Sequence, residues 1–296
     1  AYRRQRQMCI RDSANTFKRA LREGRPQIGL WSTIPSPFVC EMIGGAGYEW
    51  VLLDTEHTPT DVPLMLGQLQ AVAAALPAPG ALPVHAVVRP ACNDAVLIKR
   101  YLDLGAQSLL LPFVQNAQQA RDAVRAMRYA PQGMRGMGGS TRAANFGRTA
   151  DYVARAADEL CLLVQVETAE ALEQIEAIAA VDGVDGIFIG PADLSASLGY
   201  PGQARHPVVN RAIDQAIARI RACGKAPGIL MVDEARAREC LELGAQFVAV
   251  ALDTLLLRDG LDAAAARFRK RPLAANPPGP ASVSYTHLRA HETSLH

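Results

Sequence analysis

The carboxylates of Glu167 and Asp193 carry the strongest chemical signal in the sequence, because each follows an apolar run typical of a buried strand. Glu167 ends the run CLLVQVE, and Asp193 follows GIFIG within GPAD. Two carboxylates can share one hard cation and leave coordination positions for water and substrate. Taken alone, either residue would be a salt-bridge partner or a helix N-cap. Their matching positions favour a metal site that is open to a ligand.

Further polar residues follow other apolar runs. Asp54, Glu56 and His57 follow WVLL, and Arg89 ends HAVVR. A guanidinium there would stabilise a developing oxyanion, and an imidazole would move protons near neutral pH. A Schiff-base mechanism would instead need a lysine at the carboxyl end of a strand. Metal chemistry is favoured, because the lysines lie in helical segments or before the seventh strand: Lys18, Lys99, Lys225 and Lys270.

Short apolar runs alternate with longer segments of helical period, and together these elements must position the polar residues. Eight runs predict strands that begin near Ile28, Trp50, His85, Ser108, Cys161, Gly186, Ala226 and Phe247. The segments between them predict helices that include 94–104, 117–127, 168–180, 208–223 and 234–243. Nearly continuous apolar strands are typical of a parallel sheet covered by helices. The eightfold alternation predicts an α/β fold, a (β/α)8 TIM barrel with its active site at the carboxyl ends of the strands.

An open doubly wound sheet is the alternative fold, but the sequence has neither GxGxxG after the first strand nor GxxxxGK[ST]. We expect a single barrel domain over residues 14–272, since about 250 residues suffice for this fold. Residues 1–13 and 283–296 show no helix or strand period and resemble translated adapter sequence. Both tails are therefore expected to be non-native or disordered.

Composition excludes several classes of function. The net charge of +2 arises from 31 basic and 29 acidic residues and gives no sign of nucleic-acid binding. The six cysteines are scattered singly, which indicates neither a disulfide framework nor a zinc site and favours a reducing cytoplasm. No apolar run approaches the roughly 20 residues that span a bilayer. We expect a cytoplasmic protein that binds neither membranes nor nucleic acid.

Four segments in this order and spacing resemble the HpcH/HpaI aldolase family: VLLDTEHTPTD, AVVRPACND, LLVQVET and GIFIGPADLSASLGY. The resemblance extends from Arg25 to Phe268. It implies a barrel of the phosphoenolpyruvate/pyruvate-binding type. It also implies a class II aldolase that binds pyruvate on a divalent metal ion, Mg²⁺, Mn²⁺ or Co²⁺, and joins it reversibly to an aldehyde. The product would be a 4-hydroxy-2-oxo acid or a 2-keto-3-deoxy sugar acid.

The resemblance also implies roles for individual residues. Glu167 and Asp193 would be the metal ligands, and Gln165 would lie close to the metal-bound water and the substrate. Arg89 would hold the keto oxygen and stabilise the enolate. His57, in DTEH, would take part in proton transfer, although the sequence does not choose between His57 and a metal-bound water as the base.

Two parts of the resemblance concern the surroundings of the site. Asp103, in YLDLG, matches the aspartate that pairs with the family histidine. The segment 135–147, RGMGGSTRAANFG, matches a loop that approaches the active site of a neighbouring subunit, which implies a homo-oligomer, commonly a hexamer. Thr55 departs from the family pattern, in which glycine is usual between the Asp and Glu of this motif. The departure bears on substrate identity more than on mechanism.

The substrate carboxylate would be received by backbone N–H groups where GPADLSAS opens a short helix. Gly190 and Ala192 are small and would permit close approach of the substrate. The loops after the seventh and eighth strands lack the glycines of a phosphate site, so an unphosphorylated acid is expected.

Three other functions remain open from the sequence. Oxaloacetate decarboxylation passes through the same pyruvate enolate, and a citrate- or malyl-type CoA-ester lyase shares a related barrel. A catalytically inactive barrel that serves as a binding or assembly subunit is the third. The aldehyde partner is not specified by the sequence, since loops determine it: succinic semialdehyde, tartronate semialdehyde, lactaldehyde and glyceraldehyde all remain possible.

Overall fold

A computed structural model describes residues 14–269 and contains a closed barrel of parallel strands that pair in chain order, with β1 against β8. The strands are β1 (Gln27–Ser32), β2 (Trp50–Asp54), β3 (His85–Arg89), β4 (Ser108–Leu111), β5 (Cys161–Val166), β6 (Gly186–Ile189), β7 (Ala226–Leu230) and β8 (Phe247–Leu252). The predicted (β/α)8 barrel is thereby confirmed.

One helix precedes the first strand, and at least one helix follows every strand. They are α1 (Thr16–Arg22), α2 (Pro37–Gly44), α3 (Val62–Ala74), α4 (Ala95–Asp103), α5 (Ala117–Met127), α6 (Tyr152–Glu159), α7 (Ala169–Glu173), α8 (Ile175–Ala179), α9 (Pro191–Ser197), α10 (Pro207–Ala222), α11 (Glu234–Leu243) and α12 (Asp253–Arg269), with a 3-10 helix at Arg142–Gly147. The helix predicted over 168–180 is divided, because Gln174 has φ −101° and ψ 5° between α7 and α8. The other predicted helices agree to within one residue at each end.

The described residues fall into two compact units, one ending at Leu256 and one beginning at Leu257. The first unit contains the whole barrel. The two tails that were expected to be non-native or disordered, 1–13 and 283–296, lie outside the described residues, so the domain bounds of 14–272 stay a prediction. Within residues 14–269, no helix is both long and apolar enough to cross a membrane.

Large aromatic side chains fill the barrel interior, and glycines on neighbouring strands make room for them. Trp50 and Phe247 are fully buried, with ring centroids 5.9 Å apart. A Cβ on Gly29 would lie 2.2 Å from the Trp50 ring, and a Cβ on Gly228 would lie 2.1 Å from the Phe247 ring. The small residues on β1 and β7 are thus required by the size of the rings, since barrel interiors are packed rather than hollow.

Helix α1 packs against the amino-terminal end of this core. Its Phe17 ring lies 5.7 Å from Trp50 and is stacked on His85 at 5.6 Å. His85 Nε2 lies 2.8 Å from the hydroxyl of Ser108, which accepts a hydrogen bond from Asn15 Nδ2 at 3.0 Å. The polar and aromatic contacts together join α1 to the first residues of β3 and β4.

Stability of the fold is expected to fall as the pH falls from about 6.5 to about 4, partly through His85. Burial lowers the pKa of His85 from 6.5 to about 4. The unfolded chain therefore binds the proton first, and the contribution that is complete above pH 6.5 is lost by pH 4, at up to about 1.4 kcal/mol per pH unit. Urea unfolding at several pH values in this range gives the free energy of unfolding, which should change less steeply with pH for His85→Gln than for the parent. His57→Gln, which removes a largely exposed imidazole, should keep the parental dependence on pH. The same dependence on pH in all three proteins would contradict the assignment.

Candidate active site

A buried arginine–aspartate pair lies where β2 and β3 end. Asp54 and Arg89 are partners in the register of the two strands. The guanidinium donates from Nε to Asp54 Oδ1 at 2.8 Å and from Nη2 to Oδ2 at 2.7 Å. It also lies over the Trp31 ring, 4.6 Å from the centroid. Both residues are buried, at 5% and 2% exposure, so the two-point contact fixes the guanidinium plane.

Glu56 is a second carboxylate partner of the same arginine, with 2.7 Å between its Oε2 and Arg89 Nη1. Burial raises the pKa of Glu56, and the nearby Arg89 charge opposes the rise. A guanidinium has five N–H groups. Two of them donate to Asp54, whereas the contact with Glu56 is an ion pair without a hydrogen bond, so N–H groups on Nη1 and Nη2 are left with which Arg89 can bind a ligand.

Thr55 links the turn after β2 to the end of β3. Its backbone N–H and its hydroxyl both donate to the carbonyl of Arg89, at 3.0 and 2.7 Å, and the Tyr101 hydroxyl donates to Thr55 Oγ1 at 3.1 Å. Thr55 is 5% exposed. The Thr55 hydroxyl, which a glycine at this position would lack, therefore adds hydrogen bonds to the Arg89 carbonyl and to Tyr101.

Glu167 is held from two sides just beyond β5. Its Oε1 accepts the backbone N–H of Phe113 at 2.9 Å, and its Oε2 accepts a hydrogen bond from Gln165 Nε2. Burial raises the pKa of Glu167 to about 7; the Gln165 hydrogen bond opposes the rise, whereas the charges of Asp193 and Glu56 add to it. The negative charges of Asp193 and Glu56 act on Glu167, and a bound cation would offset them.

Gly190 lies directly against this carboxylate. A Cβ at Gly190 would stand 2.6 Å from Glu167 Oε2 and 3.1 Å from Gln165 Nε2. Helix α9 begins at the next residue and carries Asp193 in its first turn. The sequence predicted that this glycine permits close approach of the substrate. In the structure, a side chain at position 190 would collide with Glu167, which is a separate reason for glycine here. Binding of substrate by Gly190 and Ala192 stays a prediction.

The residues around Glu167 fit a hard divalent cation. Among residues 14–269, no group of three or more His, Cys, Asp and Glu side chains could hold a metal ion. The donor set would therefore be two carboxylates and a neutral oxygen. Gln165 Oε1 is buried without a hydrogen-bond partner among the described residues, and Asp193 is close enough to raise the pKa of Glu167. Oxygen donors with an uncompensated negative charge are what Mg²⁺ and Mn²⁺ prefer.

His57 lies beside Glu56, the second carboxylate partner of Arg89, and Asp103 contacts a different residue. The His57 side chain is 68% exposed, with Nε2 3.9 Å from Glu56 Oε2. Asp103 instead accepts a hydrogen bond from Arg135 Nη2 at 2.7 Å. No hydrogen bond or ion pair joins His57 and Asp103 among the described residues, so their pairing stays a prediction. The Arg135 side chain is fully buried, and Asp103 is its counter-ion.

Sequence reasoning missed two residues that shape the site. Trp31, beneath the Arg89 guanidinium, is the fifth residue of β1 and is indistinguishable in the sequence from any core aromatic. Phe113 contributes only its backbone N–H to Glu167, and a backbone donor leaves no signal in residue type. Asp54 and Glu56 were recognised as polar strand ends, but their pairing with Arg89 follows only from the register of β2 and β3.

The match to known families covers nearly all of the described chain. The profile of the HpcH/HpaI aldolase/citrate lyase family matches residues 27–260. The chain belongs to that family. The resemblance of the four motifs is confirmed, and so is the class of carbon–carbon lyase, since aldolases and citrate lyases both cleave carbon–carbon bonds.

Named relatives in this HpcH/HpaI family are aldolases. A 4-hydroxy-2-oxo-heptane-1,7-dioate aldolase of Shigella sonnei is 52% identical over 264 residues, which cover 89% of this chain and 98% of the relative. One of Salmonella arizonae is 54% identical, over 86% of this chain and 94% of the relative. A crystal structure of a family protein from Burkholderia cenocepacia has a TM-score of 0.82 at 39% identity, over 86% of this chain and 100% of that chain.

Proposed function

We propose that this member of the family is a divalent-metal-dependent aldolase that cleaves 4-hydroxy-2-oxoheptanedioate reversibly to pyruvate and succinic semialdehyde. The main support is the constellation of Arg89, Glu167 and Asp193 at the carboxyl end of the barrel, together with relatives of that name at 52 to 54% identity. These relatives favour an aldolase over an oxaloacetate decarboxylase or a CoA-ester lyase. A homo-oligomer in the cytoplasm, such as a hexamer, is part of the same proposal.

Glu167, Asp193 and the free oxygen of Gln165 would hold the cation. A divalent ion there supplies Lewis-acid chemistry to the 2-oxo acid, whose carboxylate and keto oxygens are suitable ligands. The protein maintains this donor set by burial and by the hydrogen bonds that fix both oxygens of Glu167. Mg²⁺, Mn²⁺ and Co²⁺ are all proposed to support activity.

Arg89 is proposed to bind the keto oxygen with the N–H groups that do not donate to Asp54. When the C3–C4 bond breaks, the electron pair moves towards this oxygen and pyruvate enolate forms. A guanidinium that is already oriented stabilises the new charge without reorganising. The stack on Trp31 and the two-point contact with Asp54 provide that orientation.

His57 is proposed to take the proton from the C4 hydroxyl as the aldehyde forms, and to return a proton in the direction of synthesis. Its exposure leaves the imidazole free to approach a bound substrate, with Glu56 beside it. Asp103 is retained as a partner of His57 only across subunits. The loop 135–147, predicted to approach a neighbouring active site, begins at Arg135, the residue that holds Asp103.

Deuterium exchange into the methyl group of pyruvate is expected to require a divalent cation. The chelator-treated protein should show no exchange by NMR in D₂O, and added Mg²⁺, Mn²⁺ or Co²⁺ should restore it. Glu167→Gln should remain inactive with any of the three, because it removes one of two carboxylate ligands.

Three further assays separate this proposal from its alternatives. Cleavage of 4-hydroxy-2-oxoheptanedioate should exceed turnover of oxaloacetate and of a malyl-CoA thioester. Exchange that persists in chelator would contradict the metal requirement. Exchange without aldol cleavage would point to the decarboxylase, and the absence of any metal-stimulated turnover would indicate a non-catalytic barrel.

A further inference from the structure

Phe113, just after β4, has a backbone conformation that L-residues rarely adopt. Its φ is 54°, in the left-handed region where a bulky side chain is unfavourable. The ring does not account for this conformation by burial, since the side chain is 58% exposed. An unfavourable conformation persists only where the surrounding structure enforces it, and such residues concentrate at functional sites.

The left-handed turn directs two successive backbone N–H groups to the end of β5. The N–H of Phe113 donates to Glu167 Oε1 at 2.9 Å, and the N–H of Val114 donates to the carbonyl of Gln165 at 3.0 Å. Gln165 also binds Glu167 Oε2 through its side chain. The Phe113 N–H is thus one of two donors that set the rotation of the Glu167 carboxylate.

From this geometry we infer that Phe113 is a positioning residue, whose left-handed backbone presents its N–H to Glu167 and so sets the affinity of the site for a divalent cation. The inference rests on the proposed function, in which Glu167 is a metal ligand. One lone pair of Oε1 is occupied by the Phe113 N–H, and the other is left for the cation. Hydrogen bonds of this kind to ligating carboxylates typically change metal affinity by about 10- to 100-fold.

The backbone conformation of residue 113, and not its ring, should therefore control the direction of the N–H that binds Glu167. Glycine adopts φ near 54° freely and asparagine tolerates it, whereas β-branched residues do not. Phe113→Gly and Phe113→Asn should therefore keep the N–H aimed at Glu167. Phe113→Val retains an N–H but should move it away, because the backbone would relax to negative φ.

Titration of the chelator-treated full chain with Mn²⁺, followed by calorimetry or by the EPR signal of free Mn²⁺, tests the inference. We expect the Kd of the Gly and Asn variants to stay within about threefold of the parent, and that of the Val variant to rise by about 10- to 100-fold. In the metal-free proteins, the Val variant should also have a lower Tm than the Gly variant, which would show that the left-handed conformation is the native one.

Gly224→Val is the matched control, because residue 224 also has a left-handed φ, 73°, a Cβ there would meet nothing within 4 Å, and the residue lies before β7, away from the carboxyl ends of the strands. It should lower the Tm without changing the Kd for Mn²⁺. Equal Mn²⁺ affinity in the Gly and Val variants, or equal weakening in both, would overturn the inference and leave the proposed function intact. A parent protein that binds no Mn²⁺ at all would overturn both.

Discussion

Replacing Arg89 by lysine is expected to lower kcat for aldol cleavage by about 10²- to 10³-fold, the usual cost of losing one oxyanion donor. Arg89 donates two N–H groups to Asp54, forms an ion pair with Glu56, and keeps N–H groups on Nη1 and Nη2 for a ligand. A lysine ammonium has three donors in total, so it cannot make the two-point contact with Asp54 and also present two donors to the keto oxygen. Steady-state kinetics with 4-hydroxy-2-oxoheptanedioate and saturating Mn²⁺ measure the effect.

Arg219→Lys is the matched control for this substitution. Arg219 makes the same two-point contact, with Glu176, at 2.7 and 2.6 Å, but on the surface of the protein. Its replacement should leave kcat unchanged. Lysine is preferable to alanine at position 89, because removing one partner of a buried ion pair destabilises a protein by about 3–5 kcal/mol. A parental kcat in a folded Arg89→Lys protein would exclude Arg89 from enolate stabilisation.

Replacing Gly190 by alanine is expected to disable the site through Glu167. The added methyl would stand 2.6 Å from Glu167 Oε2 and 2.8 Å from its Cβ, closer than non-bonded atoms approach. Glu167 is 3% exposed and cannot move without losing its bonds to Phe113 or Gln165. We expect Mn²⁺ affinity and kcat/KM each to fall by about 10- to 100-fold, as for other losses of a metal ligand's supporting contacts.

Gly260→Ala controls for the general effect of exchanging glycine for alanine. A Cβ at Gly260 would meet nothing within 4 Å, and the residue lies within α12. This variant should retain Mn²⁺ affinity and gain slightly in stability, since alanine is the better helix former. If Gly190→Ala binds Mn²⁺ as tightly as the parent, the carboxylate of Glu167 either tolerates displacement or is not a ligand.

The sequence by itself determined the barrel and the class of chemistry. Eight apolar runs that alternate with helical segments leave few arrangements other than a closed parallel sheet, because each strand must be covered on both faces. Gly105 and Gly244 follow α4 and α11 and have left-handed φ values of 95° and 105°, a conformation that closes a helix. Such features are local, and the residue types of a short segment suffice to specify them.

The family motifs are also short segments, so their residue types indicate the family without knowledge of the fold. Motifs such as VQVET and GPADLS place charged residues at strand ends, where burial would be costly without a function. The motifs indicate which residues belong to the site. They do not indicate which atoms of these residues meet.

Only the tertiary structure decided those contacts. Asp54 meets Arg89 through the register of β2 and β3, and Asp103 meets Arg135 rather than His57. Gly190 is required by Glu167, 23 residues earlier in the chain. The reason is that hydrogen bonds and steric contacts act over about 3 to 4 Å between atoms whose separation is set by the whole barrel. Residue type and spacing limit the possible partners, but the closed sheet selects among them.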